Sequence, residues 1–339
     1  MKYLLASMDG MSHAAFRSIC FAYGADGATT EMIPAVSYAR MKKKCPPVLE
    51  TLLIRGQSEG LLAAQIIGHD PNDMVQAAAR LEALNRYDGI EINMGCPARA
   101  VVGSGNGSAI LRDVRLAESI IRAVCAAVSL PVRLKMRLGW DANHVTAPEI
   151  AAIAQDAGCT ELILHGRTRE QMYRDDVQIE EMLRVRDAVS IPVYANGAVM
   201  HAQDAPAFAK AVRADGVCIG RAALKHPWIF EDIRCIEAGR PVPERGAEER
   251  IGILIRLAEG ICLQKPEDMA ICEMRKFIRW YLPGLSGAAA ICEKINSISS
   301  LDGFRREMEG YLNRLIQAND TAIHPELEPE WTLDTVYRR

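Results

Sequence analysis

Short apolar segments alternate with helical patterns along the first 240 residues of the chain. The apolar segments predict eight strands, at residues 4–7, 27–32, 61–67, 89–93, 132–138, 161–165, 193–195 and 216–219. Between most of them, apolar residues recur at helical spacing, as in 71–86 and 113–128. Eight strand–helix units favour an α/β fold of the (β/α)₈ TIM-barrel type. A doubly wound dinucleotide fold would need Gly-x-Gly-x-x-Gly after the first strand, but residues 8–12 read Met-Asp-Gly-Met-Ser.

The pattern changes after residue 240. Residues 241–246, Pro-Val-Pro-Glu-Arg-Gly, predict a linker, and the helical patterns that follow have no strand-like run between them; they cover 247–264, 267–282, 287–299 and 302–317. We therefore predict a barrel domain over 1–240, a small helical domain over 241–320 and a poorly ordered tail over 321–339.

Composition is that of an ordinary globular protein, with 49% hydrophobic residues. No apolar run approaches the roughly 20 residues of a membrane span, and the apolar stretch at the N-terminus is too short for a signal peptide. The ten cysteines are scattered without a Cys-x-x-Cys pair. We expect free thiols, no metal site, no membrane contact and a cytoplasmic location.

Charge gives no general support for nucleic-acid binding, because the net charge of the chain is −3. Two local basic clusters are the candidates: Arg40 with residues 42–44, and Arg275 with Lys276 and Arg279. Each cluster is either a nucleic-acid contact or simply a solvated face.

The fourth predicted strand ends in a segment with candidate chemistry. Pro97 ends the strand because it has no amide hydrogen for the ladder. A loop containing Gly103, Gly105 and Gly107 follows, and such a loop can approach a ligand and move. Cys96 therefore lies between a fixed strand and a mobile loop, where a catalytic side chain is useful. A buried structural thiol is the alternative.

Other strand ends carry residues suited to anions, and barrel enzymes place their sites there. Asn196-Gly197 and Gly220-Arg221, after the last two strands, predict a phosphate site. Lys135 lies within a strand, where a buried ammonium needs an anionic partner such as a reduced flavin, unless it extends to the rim.

Three further residues have two interpretations each. His165, followed by Arg167, either binds an anion or is structural, and its neighbours favour the first. Gln65 is predicted to hydrogen-bond a flavin's pyrimidine edge or to be a satisfied core amide. Tyr173 is predicted to contact a flipped base or to begin a helix.

These motifs resemble those of the tRNA-dihydrouridine synthases, flavoenzymes that reduce a uracil ring in tRNA. The resemblance covers nearly the whole chain and is carried by the segments 25–32, 93–97, 103–109, 220–230 and 273–282. It implies flavin mononucleotide (FMN) as cofactor, NADPH as electron donor and tRNA as substrate and partner. It also implies that a basic surface docks the tRNA and that the target uridine leaves its stack.

The resemblance implies a role for each site residue. Cys96 corresponds to the proton donor. The residues implied to bind FMN are Ser7, Met8, Gln65, Lys135, His165, Asn196, Gly197, Ala198, Gly220 and Arg221, and those implied to bind substrate are Asn93, Arg167 and Tyr173. Three positions depart from the family: Ser7 replaces a common proline, Asp9 a common alanine, and Gly103 a lysine found in many members.

The sequence therefore predicts an FMN-dependent enzyme, most simply a monomer, that reduces the C5=C6 bond of specific uridines in tRNA. Two alternatives stay open. One is a barrel oxidoreductase that acts on a free pyrimidine, like dihydroorotate dehydrogenases, although such an enzyme would not need an appended helical domain. The other is a non-catalytic tRNA-binding protein.

Overall fold

The fold is a closed parallel barrel followed by a group of helices. The computed structural model describes residues 1–41, 45–324 and 327. Its strands are β1 (Lys2–Leu5), β2 (Gly27–Thr29), β3 (Ile33–Pro34), β4 (Leu61–Ile67), β5 (Gly89–Met94), β6 (Val132–Arg137), β7 (Glu161–His165), β8 (Val193–Asn196) and β9 (Gly216–Ile219).

All the strand pairs are parallel, in the order β2-β1-β9-β8-β7-β6-β5-β4-β3. The additional pairing of β2 with β4 closes the barrel, so that eight strands form the wall and the two-residue β3 lies beside β4. The predicted TIM barrel is therefore confirmed. All the carboxyl ends of the strands open on the same rim.

The helices outside the barrel follow their strands. They are α1 (Ala14–Ala22), α2 (Ala35–Ala39), α3 (Pro47–Leu52), α4 (Pro71–Glu82), α5 (Arg99–Gly103), α6 (Val114–Ala127), α7 (Ala147–Asp156), α8 (Ile179–Asp187), α9 (Asp204–Ala211), α10 (Arg221–Lys225) and α11 (Ile229–Glu237), with a 3₁₀ helix at Gly107–Arg112. Local sequence sets several starts. Asp70 accepts a hydrogen bond from the amide of Asp73 ahead of α4, and Asp113 accepts one from Leu116 ahead of α6.

The glycine-rich segment after β5 has more structure than the sequence predicted. Instead of an irregular loop it contains the single-turn helix α5 and then the 3₁₀ helix. Gly105 and Gly107 both have positive φ, 80° and 59°, and supply the turn between these two helices. We call residues 98–112 the lid segment.

Within the described residues, four helices follow the barrel: α12 (Ala247–Cys262), α13 (Glu267–Tyr281), α14 (Ala288–Ile295) and α15 (Leu301–Gln317). Residues 238–246, all of them described, contain neither helix nor strand. The four helices share one hydrophobic core with the barrel, as in the 6.2 Å approach of the rings of Phe16 and Phe277. At the α1–α12 contact a Cβ on Gly260 would lie 2.6 Å from the Cβ of Ala15, so these helices meet at backbone distance.

The start of the predicted tail is held against these helices. The carbonyl of Thr321 accepts a 2.9 Å hydrogen bond from the amide of Ala247, and the amide of His324 donates to the carbonyl of Gly284 at 2.8 Å. The remainder of the predicted tail, apart from residue 327, lies outside the described residues, as do residues 42–44. None of the helices in the described ranges combines the length and apolar character needed to cross a bilayer.

Candidate active site

Cys96 lies just beyond β5 and is fixed from two sides. On the strand side, the Oδ1 of Asn93 accepts hydrogen bonds from the amides of Gly95 and Cys96, both at 3.0 Å. On the lid side, the carbonyl of Cys96 accepts from the amide and the hydroxyl of Ser108, at 3.1 and 2.9 Å. Gly107 allows this contact, because a Cβ there would lie 2.8 Å from the Cys96 carbonyl oxygen.

The surroundings of Cys96 keep its thiol protonated. Burial raises the pKa of Cys96 above its ordinary value, and the negative charge of Asp9 raises it further. The amide of Ala98 and the positive charges of Arg137 and Lys135 oppose this shift only in part. A protonated thiol donates a proton, whereas a nucleophilic cysteine needs a lowered pKa. The environment therefore suits an acid.

Lys135 lies beside Asn93 in the strand register and points toward Asn196. Its Nζ is 3.4 Å from the Oδ1 of Asn196, whose Nδ2 donates to the carbonyl of Cys218 at 2.7 Å. Burial lowers the pKa of Lys135. Within residues 1–41, 45–324 and 327, Lys135 has no ion pair with a carboxylate. A buried ammonium in this position can accept an anionic group of a bound ligand.

His165, at the end of β7, is buried among positive charges. Burial lowers the pKa of His165 well below its ordinary value, and four cations lower it further: Arg137, Lys135, Arg167 and Arg221. The imidazole is therefore neutral at physiological pH. It can accept or donate a hydrogen bond there, but it holds no extra proton to give away.

Glycine at position 197 allows β7 and β8 to approach at the rim. Gly197 has φ of 121°, and a Cβ on it would lie 3.0 Å from the Nε2 of His165. The Nη1 of Arg167 donates to the Gly197 carbonyl at 2.7 Å. The neighbouring Ala198 is partly buried against the main core. Residue 197 therefore gives a ligand close access to this backbone.

The ring of Tyr173 connects the arginines of the site. The Cζ of Arg221 lies 4.3 Å from the ring centroid, and that of Arg137 lies 5.2 Å from it. The imidazole of His165 is 6.2 Å away, centroid to centroid. Residues that follow β6, β7 and β9 therefore meet around one aromatic ring.

Arg137 was not among the predicted site residues, although it links the thiol to the β7 loop. Its side chain is 1% exposed. Its Nε donates to the Gly95 carbonyl at 3.0 Å, and its Nη1 donates to the carbonyls of Thr168 and Met172 at 2.9 and 2.7 Å. The sequence contained a signal for this role: Arg137 lies two residues after Lys135 in β6, so both side chains lie on the same face of the strand.

Gln65 lies deeper in the barrel, in a network of polar side chains. Its amide nitrogen donates to Glu91, and its oxygen accepts from the Nδ2 of Asn93 at 2.8 Å. Glu91 pairs in turn with Arg133 at 2.7 Å. The side chain of Gln65 is therefore fixed as part of the pocket floor. These contacts are the ones expected of a hydrogen-bonded core amide.

The first strand contributes Ser7 and Met8 to the rim. The Oγ of Ser7 is buried and has no hydrogen-bond partner among the residues that the structure describes. The Sδ of Met8 lies 3.7 Å from the position of a Cβ on Gly220, so the ends of β1 and β9 meet there. Gly220 is followed directly by α10, which begins at Arg221.

These features fit a flavin phosphate and ring. The buried Oγ of Ser7 lacks a partner, the ammonium of Lys135 lacks a carboxylate within the described ranges, and Gly197 opens a cradle that a Cβ would fill. All of them lie on the rim that also carries a protonated thiol. No group of three or more potential metal ligands occurs in the described part of the chain. The barrel and its rim define a flavin-dependent oxidoreductase.

Comparisons with known proteins identify which of these enzymes the chain is related to. The family model described as "Dihydrouridine synthase (Dus)" matches residues 4–317. The chain belongs to the dihydrouridine synthase family.

Curated relatives support this assignment over most of the chain. It is 34% identical over 319 residues to tRNA-dihydrouridine synthase B of Vibrio cholerae, covering 92% of this chain and 96% of the relative. It is 35% identical over 302 residues to tRNA-dihydrouridine synthase B of Pseudomonas aeruginosa, covering 89% and 90%. Among solved structures, an old yellow enzyme homologue from Zymomonas mobilis matches with a TM-score of 0.50 and 14% identity over 71% of this chain and 90% of that one, which shows the shared barrel fold.

Proposed function

We propose that the chain is a tRNA-dihydrouridine synthase that reduces the C5=C6 bond of specific uridines in tRNA, with FMN as cofactor and NADPH as electron donor. One observation carries the proposal: the Cys96 thiol is kept protonated on the same rim as the buried ammonium of Lys135, which has no carboxylate partner among the described residues. Family membership and the names of the curated relatives support the choice of tRNA as substrate.

FMN, when bound, supplies the hydride for the reduction. In this proposal Lys135 binds the electron-rich pyrimidine edge of the flavin, where its positive charge stabilises the reduced form. Gln65 and the hydroxyl of Ser7 add hydrogen bonds. Asn196, Gly197, Ala198, Gly220 and Met8 line the flavin site, and the phosphate is held by His165 and Arg221, with the amides of the glycine turns.

The proton comes from the Sγ of Cys96 and goes to C5 of the uracil. Cys96 and His165 are both neutral on this rim at pH 7, but of these two only Cys96 can donate in this way. The pKa of His165 lies well below its ordinary value, so its imidazole holds no second proton, whereas the raised pKa of Cys96 keeps the thiol protonated. The positive charges of Lys135 and Arg137 stabilise the thiolate until water returns its proton.

The uracil must leave its stack before it can reach this rim. We propose that Asn93 and Arg167 hydrogen-bond its polar edge and that Tyr173 packs against it. The helices α12–α15, within the predicted domain 241–320, would dock the body of the tRNA. A tRNA substrate and ten free cysteines support a cytoplasmic enzyme, which we propose acts as a monomer.

The test is a substrate comparison with the purified flavin-loaded protein. We expect NADPH consumption and dihydrouridine formation with unmodified tRNA, but with neither free uridine nor orotate. Reduction of a free pyrimidine at a comparable rate would point to the small-molecule oxidoreductase. Binding of tRNA without any reduction would point to a non-catalytic protein.

A further inference from the structure

A second cationic cluster lies on the same rim, at the end of the lid segment. The guanidinium carbons of Arg112 and Arg169 each lie 4.8 Å from the centroid of the Trp140 ring. The three residues come from different elements: the end of the 3₁₀ helix, the loop after β6 and the loop after β7. We call them the Arg–Trp–Arg stack. Its members follow β5, β6 and β7, the strands at whose carboxyl ends Cys96, Arg137 and His165 lie.

The backbone around the stack is rigid. The amide of Arg169 donates to the carbonyl of Gly139 at 2.9 Å, and the amide of Glu170 donates to the carbonyl of Trp140, also at 2.9 Å. These bonds join the loops after β6 and β7. Gly139 has φ of 159°, and a Cβ on it would lie 2.0 Å from the His144 carbonyl oxygen, so the turn requires glycine. The indole is therefore a fixed support for both arginines.

The stack carries positive charge that no ion pair within the described residues neutralises. Neither Arg112 nor Arg169 forms an ion pair with any described residue, and the Nε of Arg169 is buried without a hydrogen-bond partner among those residues. Three carboxylates are adjacent to the stack in sequence: Glu170 is exposed to solvent, and the other two have partners of their own. Asp113 caps α6 through the amide of Leu116, and Asp141 bonds His144.

In each basic cluster predicted from sequence one described residue forms an ion pair, whereas Arg275 and Arg279 form none with a described residue. Arg40 forms a two-pronged pair with Asp73 at 2.9 and 2.8 Å. Lys276 pairs with Glu273 at 2.9 Å. In a chain of net charge −3, uncompensated arginines on the catalytic rim are a specific feature rather than a general excess of base.

We propose that the Arg–Trp–Arg stack binds the RNA phosphates that flank the flipped uridine. This inference rests on the proposed function, because it specifies how the same rim receives its substrate. Guanidinium groups bind phosphate oxygens through paired, charge-assisted hydrogen bonds. Stacking on Trp140 orders both side chains before RNA arrives, which reduces the entropy lost on binding. Arg112 and Arg169 contact phosphate, and Trp140 is a positioning residue.

The test measures tRNA affinity of the flavin-loaded enzyme as a function of salt, for Arg112→Gln, Arg169→Gln and Trp140→Leu. Each lost phosphate contact lowers the slope of log K against log salt by about 0.7–0.9, which is roughly a fivefold to eightfold loss of affinity at 0.1 M salt. Trp140→Leu should weaken tRNA binding with the slope unchanged, because both charges remain. Arg122→Gln is the matched control: this exposed arginine on α6 pairs with Glu118 of the same helix and with Asp156 at the end of α7, and its loss should leave affinity and slope unchanged.

NADPH also carries phosphates, so a second measurement separates the two sources. NADPH oxidation with oxygen as acceptor needs no RNA, and we expect its KM for NADPH to be unchanged in Arg112→Gln and Arg169→Gln. A raised KM for NADPH with unchanged tRNA affinity would assign the stack to the nucleotide. An unchanged salt slope in both variants would overturn the inference even if tRNA is still reduced. Failure of the wild-type enzyme to reduce tRNA would instead overturn the proposed function.

Discussion

Replacement of Cys96 by alanine tests the proton donor directly. Because burial raises the pKa of Cys96 above its ordinary value, the thiol form predominates at pH 7 and nearly every molecule carries the acid. Loss of a positioned general acid lowers a rate by about 10²–10⁴-fold, which corresponds to about 2.7–5.4 kcal/mol of transition-state stabilisation. The folded state loses one half-buried sulfur, which costs less than about 1 kcal/mol.

Two half-reactions separate chemistry from cofactor binding. In Cys96→Ala we expect normal flavin content and normal reduction of the flavin by NADPH. Oxidation of the reduced flavin by unmodified tRNA should be slower by about 10²–10⁴-fold. Cys235→Ala is the control: it removes a buried thiol of α11, away from the rim, and should behave like the wild type. Rapid-mixing absorbance of the flavin reports both steps.

The pH dependence gives an independent measurement. Because only the protonated thiol donates, the rate with tRNA should stay level through neutral pH and fall only as the pH approaches the raised pKa of Cys96. The alanine variant should lack that alkaline decline. Turnover within twofold of the wild type in Cys96→Ala, or a decline centred below pH 8 in the wild type, would refute this assignment.

Two further variants test the framework of the site. Arg137→Met should lower the free energy of unfolding in urea by about 3 kcal/mol, because the charged side chain loses three hydrogen bonds to buried carbonyls. Arg122→Met, at an exposed ion pair, should lower it by less than about 1 kcal/mol. Equal losses in the two variants would contradict the structural role of the buried Arg137. Gly197→Ala should weaken FMN retention roughly tenfold, about 1.4 kcal/mol, because its Cβ would crowd His165. Gly158→Ala is the control: Gly158 also has a positive φ, but a Cβ there would meet open space, so this variant measures the backbone cost alone. The assay is flavin release from both variants.

Most of the barrel could be predicted because buried parallel strands read as apolar runs separated by helices of several turns. The predicted strand at 27–32 is shorter, ending at Thr29, and β3 was missed. The short helices α2, α3 and α10 were also missed, because a helix of one or two turns depends on tertiary contacts. For α2 one such contact is the 2.8 Å hydrogen bond from Arg80 to the carbonyl of Tyr38.

The rim was predictable to the extent that single strands reveal it. Cys96, Lys135 and His165 each follow or lie within one recognisable strand, and the barrel rule brings such residues together. The stack of Arg112, Trp140 and Arg169 depends on three loops meeting in space, and no local pattern encodes that meeting. Likewise, the predicted basic cluster at Lys276 did not reveal its ion pair with Glu273, which the helix surface provides.

The backbone-distance contact between α1 and α12 has a consequence for substrate choice. Because Gly260 packs on Ala15 and both helices belong to one core, the helices that we propose dock the tRNA cannot rotate about the barrel without breaking that core. If they dock the tRNA body, the distance from it to the thiol is therefore constant. To reduce a different nucleotide, the enzyme would need a different angle between α1 and α12. Substitutions confined to the rim would leave the selected nucleotide the same.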